Sequence, residues 1–241
     1  MLKALKDNYI YILKDSHSRQ ACVIDPSDSE PVLSMLHNFN LELVLILNTH
    51  HHWDHTGGNE DLVNHSQCSV WCSHVDQKRV PASQRGLKNG ETLNFANTSF
   101  RALEIPGHTS GQMAFYFPAE NLLFPGDTLF VMGCGRILEG TAEELFSSLQ
   151  KLSQLPSQTM LCPGHEYALK NADFCATYTQ SPLVREKILQ RKQTIHTKLK
   201  THGVYNLSCL SEEAQTNLFW QAAVNNDKSQ FFQLRKQKDI F

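Results

Sequence analysis

Metal-ligating side chains are concentrated in one short segment of this 241-residue chain. Residues 49–55 read T-H-H-H-W-D-H, so most of a possible ligand set lies within seven residues of the chain. In a partly extended loop alternate side chains share one side, so we expect His50, His52 and Asp54 to project together while His55 points elsewhere. Imidazole and carboxylate groups suit zinc, iron or manganese. One segment therefore supplies ligands for two adjacent metals, and His51, which points away, is assigned no metal role.

Three further candidate ligands share a different local context. His108, Asp127 and His165 each follow an apolar run and a glycine, in P-G-H-T-S-G, P-G-D-T and P-G-H-E. A glycine at a strand exit permits a sharp turn, which directs the next side chain into a cleft. Because the same arrangement occurs three times, we predict that these side chains join the metal site.

Buried strands precede these motifs. Residues 43–48 are almost uniformly apolar, as expected of a strand covered on both faces, and lead directly into the histidine cluster. Helical spacing predicts helices over 30–39 and 141–152. After about residue 167 the pattern changes to long charged helices, which indicates a helical C-terminal domain. The other predicted strands cover residues 8–13, 21–25, 69–72, 91–95, 99–105, 112–117, 122–124 and 160–163.

Composition indicates a soluble globular protein. Hydrophobic residues make up 41%, charged residues 19%, and the net charge is −2, so no basic surface for nucleic acid is expected. The longest apolar stretch falls far short of the ~20 residues of a membrane-spanning helix, and charges at the N-terminus argue against a signal peptide. Seven scattered cysteines indicate a reducing compartment. We expect a cytoplasmic monomer that has no nucleic-acid or membrane partner.

Taken in order, T-H-x-H-x-D-H, G-H-T-x-G, G-D-T and G-H-E resemble the metallo-β-lactamase superfamily pattern. The resemblance spans essentially the first 167 residues. It implies an α+β fold in which residues 1–167 form a four-layer αββα sandwich that carries a binuclear metal hydrolase site. Residues 168–241 then form a small α-helical domain.

The resemblance also implies two divalent metals per chain, with zinc expected and iron or manganese as alternatives. The implied ligands are His50, His52 and His108 for one metal, Asp54, His55 and His165 for the other, and Asp127 as the bridge. A hydroxide that bridges two dications is a strong nucleophile near neutral pH, since a bound metal lowers the pKa of water to about 7. Asp54 and Asp127 are therefore the expected catalytic residues, Asp54 by helping to orient the hydroxide.

Further motifs resemble glyoxalase II, the hydroxyacylglutathione hydrolases. They are D-T-L-F-V-M-G-C-G-R over 127–136, G-H-E-Y over 164–167 and L-R-K-Q-K-D over 234–239. This resemblance implies that Arg136, Tyr167, Arg235 and Lys238 contact glutathione, whose carboxylates need cationic partners. It makes residues 168–241 a glutathione-binding domain, although a solvated basic helix end also explains Arg235 and Lys238.

The implied reaction is hydrolysis of S-D-lactoylglutathione, and of other S-2-hydroxyacylglutathiones, to the 2-hydroxy acid and glutathione. This reaction is the second step of methylglyoxal detoxification. By the same resemblance Arg235→Ala should mainly weaken substrate binding.

Three departures from the family pattern bear on affinity. Arg136 stands where the family often has lysine, Leu138 where it has tyrosine, and Leu218 where it has proline in a motif resembling N-P-F. Arg136 preserves the charge, whereas Leu138 removes a potential hydroxyl contact.

Other enzymes on the same scaffold remain alternatives. A glutathione persulfide dioxygenase that uses mononuclear iron would leave the second ligand set unused. A lactonase or β-lactamase would share the metal motifs but has no need of glutathione contacts. A nucleic-acid-processing member should carry a more basic surface.

Overall fold

The computed structural model describes residues 1–203 and 208–241. These residues form two compact units, one of residues 1–104 with 111–126 and one of residues 105–110 with 127–241. Among the described residues, no helix combines the length and apolar character needed to cross a membrane. This division reflects only which residues pack closely together. The predicted domain boundary after residue 167 therefore stays a prediction.

A six-stranded sheet, with its strands side by side in chain order, dominates the first unit. Its strands are β1 Leu2–Ala4, β2 Asn8–Lys14, β3 Gln20–Ile24, β4 Glu42–Leu47, β5 Ser69–Ser73 and β6 Arg85–Leu87. The first three strands pair antiparallel, and the pairs from β3 to β6 are parallel. Parallel neighbours need crossover connections, which here contain α1 Glu30–Asn38, α2 Trp53–Thr56 and α3 Asn59–Ser66.

A second set of strands in this unit forms an antiparallel meander. Its strands are β7 Thr92–Phe95, β8 Thr98–Glu104, β9 Met113–Phe117 and β10 Leu122–Gly126. The two sheets face each other, since Tyr11 of β2 packs edge-on against Phe124 of β10 with ring centroids 5.2 Å apart. On the other side of the first sheet, Val32 and Leu62 of α1 and α3 pack into a buried cluster with Ile46. The unit thus has helix, sheet and sheet layers.

The second unit is mainly helical. Its strands are β11 Leu129–Phe130, β12 Gly133–Cys134, β13 Met160–Pro163 and β14 Ser208–Cys209. Its helices are α4 Ala142–Leu152, α5 Ala168–Tyr178, α6 Pro182–His202, α7 Leu210–Thr216, α8 Leu218–Val224 and α9 Lys228–Ile240. β11 and β12 form a short hairpin, and β13 pairs antiparallel with β14.

Buried polar groups of α7 and α8 hold the β11–β12 hairpin. Asn217 donates its side-chain amide to the carbonyls of Phe130 and Gly133, at 3.3 and 3.0 Å. The backbone N–H of Met132, at the strained φ of 55°, donates to the Glu213 carboxylate at 2.7 Å. Glu213 is fully buried and pairs with Arg191 at 2.6 Å. Because a left-handed φ is costly for methionine, these contacts hold the turn in place.

The predicted strands and helices agree with the observed ones where the hydrophobic pattern extends over many residues. The strand predicted over 43–48 is β4, and the helix predicted over 141–152 is α4, which has the Thr141–Glu144 capping box expected from its sequence. Strands of two or three residues, such as β1, β11 and β14, were not predicted. Segments this short carry no periodicity.

Candidate metal centre and adjoining cavity

The loop after β4 gathers four of the predicted ligands. His50 Nε2 lies 3.0 Å from His52 Nδ1, and His55 Nε2 lies 3.8 Å from Asp54 Oδ2. The prediction that His55 points elsewhere is wrong, because its ring centroid lies 4.1 Å from that of His50. The chain turns into α2 at Trp53, so extended alternation ends at His52 and helical spacing returns His55 to the same side.

His51 turns away from these groups, as expected of a residue out of phase with its neighbours. Its Nδ1 lies 3.2 Å from a carboxylate oxygen of Asp76, which is fully buried and also bonds Arg79. This contact ties the loop to the segment after β5.

Asp25 orients two of the histidines, and sequence reasoning missed it. This buried residue follows β3 and accepts from the Thr49 backbone N–H and hydroxyl, both at 2.7 Å, while His55 Nδ1 lies 3.0 Å from Oδ2. Since the Thr49 hydroxyl donates to Asp25, its oxygen accepts from His50 Nδ1 at 3.1 Å. In the neutral form of each ring, the proton then sits on Nδ1 and Nε2 carries the lone pair. The available signal was a buried strand that ends directly on an aspartate.

The second unit brings the other three predicted ligands together. Asp127 Oδ2 lies 3.6 Å from His108 Nε2 and 3.3 Å from His165 Nε2. The preceding glycines act as expected for two of them: Gly107 has a φ of 140° and Gly126 a φ of 52°, both disfavoured for residues with a Cβ. All three predicted ligands are buried.

His108 and His165 each have a partner that orients the imidazole ring. His108 Nδ1 donates to the backbone carbonyl of Arg136 at 2.7 Å, so in the neutral ring Nε2 carries the lone pair. The His165 ring stacks on Tyr167 with centroids 4.9 Å apart and planes 4° apart, and Phe130 meets both rings edge-on. Oriented, neutral imidazoles and carboxylates are the donor set that a divalent cation needs, so these residues fit the implied metals.

A cavity of about 350 Å³ lies in the second unit and opens onto His108 and Asp127. All four residues predicted to contact glutathione, Arg136, Tyr167, Arg235 and Lys238, line it. Leu138, which departs from the family pattern, also lines it and is 56% exposed. The structure therefore collects the predicted substrate contacts beside two predicted ligands.

The charged groups of this cavity differ in their surroundings. Arg136 is exposed, whereas Arg235 is buried. Lys238 is half-buried, with Nζ 4.8 Å from the ring centroid of Phe174 and 5.3 Å from that of Phe241. Burial lowers the pKa of Lys238, because removal from water disfavours its charged form. An anionic ligand would offset that cost.

Cys134 lines the same cavity, yet it does not have the character of a nucleophile. Burial raises the pKa of its thiol, and the nearby Arg235 only partly opposes this. The protonated thiol acts as a small buried side chain, as expected from the sequence.

The family model "Metallo-beta-lactamase superfamily" matches residues 7–165. The chain therefore belongs to this superfamily, which confirms the predicted α+β fold. The helices α7, α8 and α9 confirm the predicted helical C-terminal region. Its histidines and aspartates provide a site for divalent metal.

A hydroxyacylglutathione hydrolase from Synechococcus sp. (strain JA-2-3B'a(2-13)) is 41% identical over 100% of this chain and 98% of its own length. Within the superfamily, the chain belongs to the hydroxyacylglutathione hydrolases.

Solved structures show the same fold. ETHE1 from Myxococcus xanthus is similar at a TM-score of 0.69 and 24% identity, covering 95% of this chain and 85% of that one. A di-iron-bound form of TTHA1623 has a TM-score of 0.57 and 29% identity, covering 68% of this chain and 90% of its own.

Proposed function

We propose that this enzyme hydrolyses S-D-lactoylglutathione, and related S-2-hydroxyacylglutathiones, to the 2-hydroxy acid and glutathione. The observation that carries the proposal is the cavity in which Arg136, Tyr167 and Lys238 stand beside His108 and Asp127. The curated relatives named hydroxyacylglutathione hydrolase, similar over the full chain, support the same reaction. Glutathione carries two carboxylates, which cationic side chains bind through charge-assisted hydrogen bonds.

We infer a binuclear zinc centre, with His50, His52 and His108 on one metal, Asp54, His55 and His165 on the other, and Asp127 between them. The oriented imidazoles in each unit support this assignment, as does the similar protein whose structure is titled di-iron-bound. Bound there, divalent cations would supply a hydroxide near neutral pH and polarise the thioester carbonyl.

The side chains of this protein orient the attacking water and bind the substrate. Asp54 Oδ2 accepts from the Asn8 side-chain amide at 3.1 Å, which fixes a carboxylate that can align the attacking water. Arg136, Tyr167 and Lys238 hold the glutathione portion, and Arg235 adds positive charge to the cavity. The departing glutathione thiol has an ordinary pKa of about 8.5, so the leaving group needs no strong general acid.

One chain supplies all of the proposed ligands and contacts, so we propose that it acts as a monomer. A cytoplasmic location is proposed as well. It is supported by the seven cysteines, among which the structure describes no disulfide.

Lys238→Met should raise the KM for S-D-lactoylglutathione about tenfold or more while metal content and kcat stay near those of the parent. The reason is that a charge-assisted hydrogen bond contributes about 1.5–3 kcal/mol. Steady-state kinetics on metal-quantified protein would measure this. Lys236→Met, an exposed position on the same helix, is the matched control and should leave KM unchanged. An unchanged KM in Lys238→Met would remove this residue from the glutathione contacts.

The function itself is tested by following loss of the thioester absorbance of S-D-lactoylglutathione on protein whose metal content is measured in the same preparation. We expect turnover with about two metals per chain. A fully metallated protein without turnover would overturn the proposal. Oxygen consumption with glutathione persulfide, and assays with a lactone and a β-lactam, would then identify which alternative applies.

A further inference from the structure

The buried side chain of Arg235 in α9 is bonded to the chain that precedes Arg136. One guanidinium nitrogen donates to the backbone carbonyls of both Cys134 and Gly135, at 3.1 Å each. A second guanidinium nitrogen, Nη2, donates to Asp239, one turn along the helix, at 2.9 Å. Only 4% of Arg235 is exposed. A cation this buried, with two N–H bonds committed to backbone carbonyls, holds a segment of chain in place.

That segment touches two of the proposed metal ligands. The carbonyl of Arg136, the next residue, accepts the hydrogen bond from His108 Nδ1. Gly135 lies so close to Asp127 that a Cβ there would be 1.9 Å from its carbonyl oxygen and 3.3 Å from His108 Cβ. The N–H of Gly135 also donates to the Thr128 carbonyl at 3.2 Å. Arg235 is thus separated from the His108 ring by one short, tightly packed piece of backbone.

We propose that Arg235 is a positioning residue for the metal centre: by holding the carbonyls of Cys134 and Gly135 it fixes the Arg136 carbonyl that orients His108. The inference rests on the proposed metal centre and adds a role for the C-terminal helix in it. Without the guanidinium, the carbonyls of Cys134 and Gly135 lose this donor, and the backbone that carries the acceptor of His108 is less firmly held. Loss of a group that contacts a ligand directly typically costs about 10–100-fold in metal affinity, and Arg235 acts one step further out, so we expect the lower end of this range.

This role differs from a direct contact with glutathione. A residue that only bound substrate would change KM and leave metal affinity unaltered. A positioning residue changes metal affinity in the absence of any substrate. The two readings are therefore separated by a measurement in which no thioester is present.

Zinc-loaded parent, Arg235→Met, Arg235→Lys and Asp239→Asn proteins would be titrated with a chelator, well below the unfolding temperature of each metal-free protein. We expect Arg235→Met to bind zinc about tenfold more weakly. Arg235→Lys should fall between parent and Arg235→Met, because one ammonium replaces the two-carbonyl contact. Asp239→Asn removes only the partly exposed partner and should match the parent.

A second readout follows the hydrogen bond itself. The imidazole N–H proton of His108, assigned by its loss in His108→Gln, should give a slowly exchanging NMR signal in the parent and in Asp239→Asn. We expect the signal to be shifted or lost by exchange in Arg235→Met. A general loss of stability would not single out this proton.

Unchanged zinc affinity and an unchanged His108 signal in Arg235→Met would overturn the proposal. Should Arg235→Met fail to fold, parental affinity in Arg235→Lys would do the same, as would an equal loss in Asp239→Asn. Failure of the proposed function would instead appear as absent thioester turnover in the parent, whatever its zinc affinity.

Discussion

Asp127→Ala should lose bound metal and thioesterase activity together. Asp127 Oδ2 lies within 3.6 Å of the Nε2 atoms of both His108 and His165, so the substitution takes away a carboxylate that both of these proposed ligands contact. A metal contributes several kcal/mol of transition-state stabilisation, hence activity should fall by about three orders of magnitude. Metal analysis and S-D-lactoylglutathione hydrolysis on the same preparation would measure both effects.

Asp173→Ala is a suitable control for this substitution. Asp173 is an exposed aspartate of α5 that pairs with Lys192 on the surface, so its loss should alter neither metal content nor turnover. Circular dichroism would establish that the Asp127→Ala chain is folded. A folded Asp127→Ala protein with parental metal content and turnover would exclude the bridging role.

His165→Ala should separate a binuclear from a mononuclear centre. The proposed set of His50, His52 and His108 stays intact, whereas the set of Asp54, His55 and His165 loses a ligand. We expect metal content to fall from about two to about one per chain, with activity reduced about a hundredfold or more, since two metals act as a joint clamp. Tyr167 also loses the ring on which it stacks.

The matched control is His196→Ala, which changes an exposed histidine on α6. It should retain both the metal content and the rate of the parent. If His165→Ala were to hydrolyse the thioester as fast as the parent, the second metal would have no part in the reaction. A mononuclear iron centre that consumes oxygen would then be the reading to test.

Part of the fold followed from local pattern alone. The uniformly apolar strand before the histidines and the capped amphipathic helix over 141–152 were predicted nearly to the residue, because burial on both faces and helical periodicity are visible in sequence. Short hairpins were not predicted. The β11–β12 turn depends on a left-handed Met132 held by Glu213, 81 residues away, and no local signal marks that contact.

The amino-acid sequence by itself determined which residues offer ligands, because imidazole and carboxylate groups at strand exits carry their chemistry in residue type and spacing. Tertiary structure alone decided how those groups are oriented. Asp25 reaches His55 from 30 positions away, and Arg235 reaches the backbone before Arg136 from 100 positions away. Such contacts form only when distant segments fold together, and the Asp25 contact sets which nitrogen of His55 would face a bound metal.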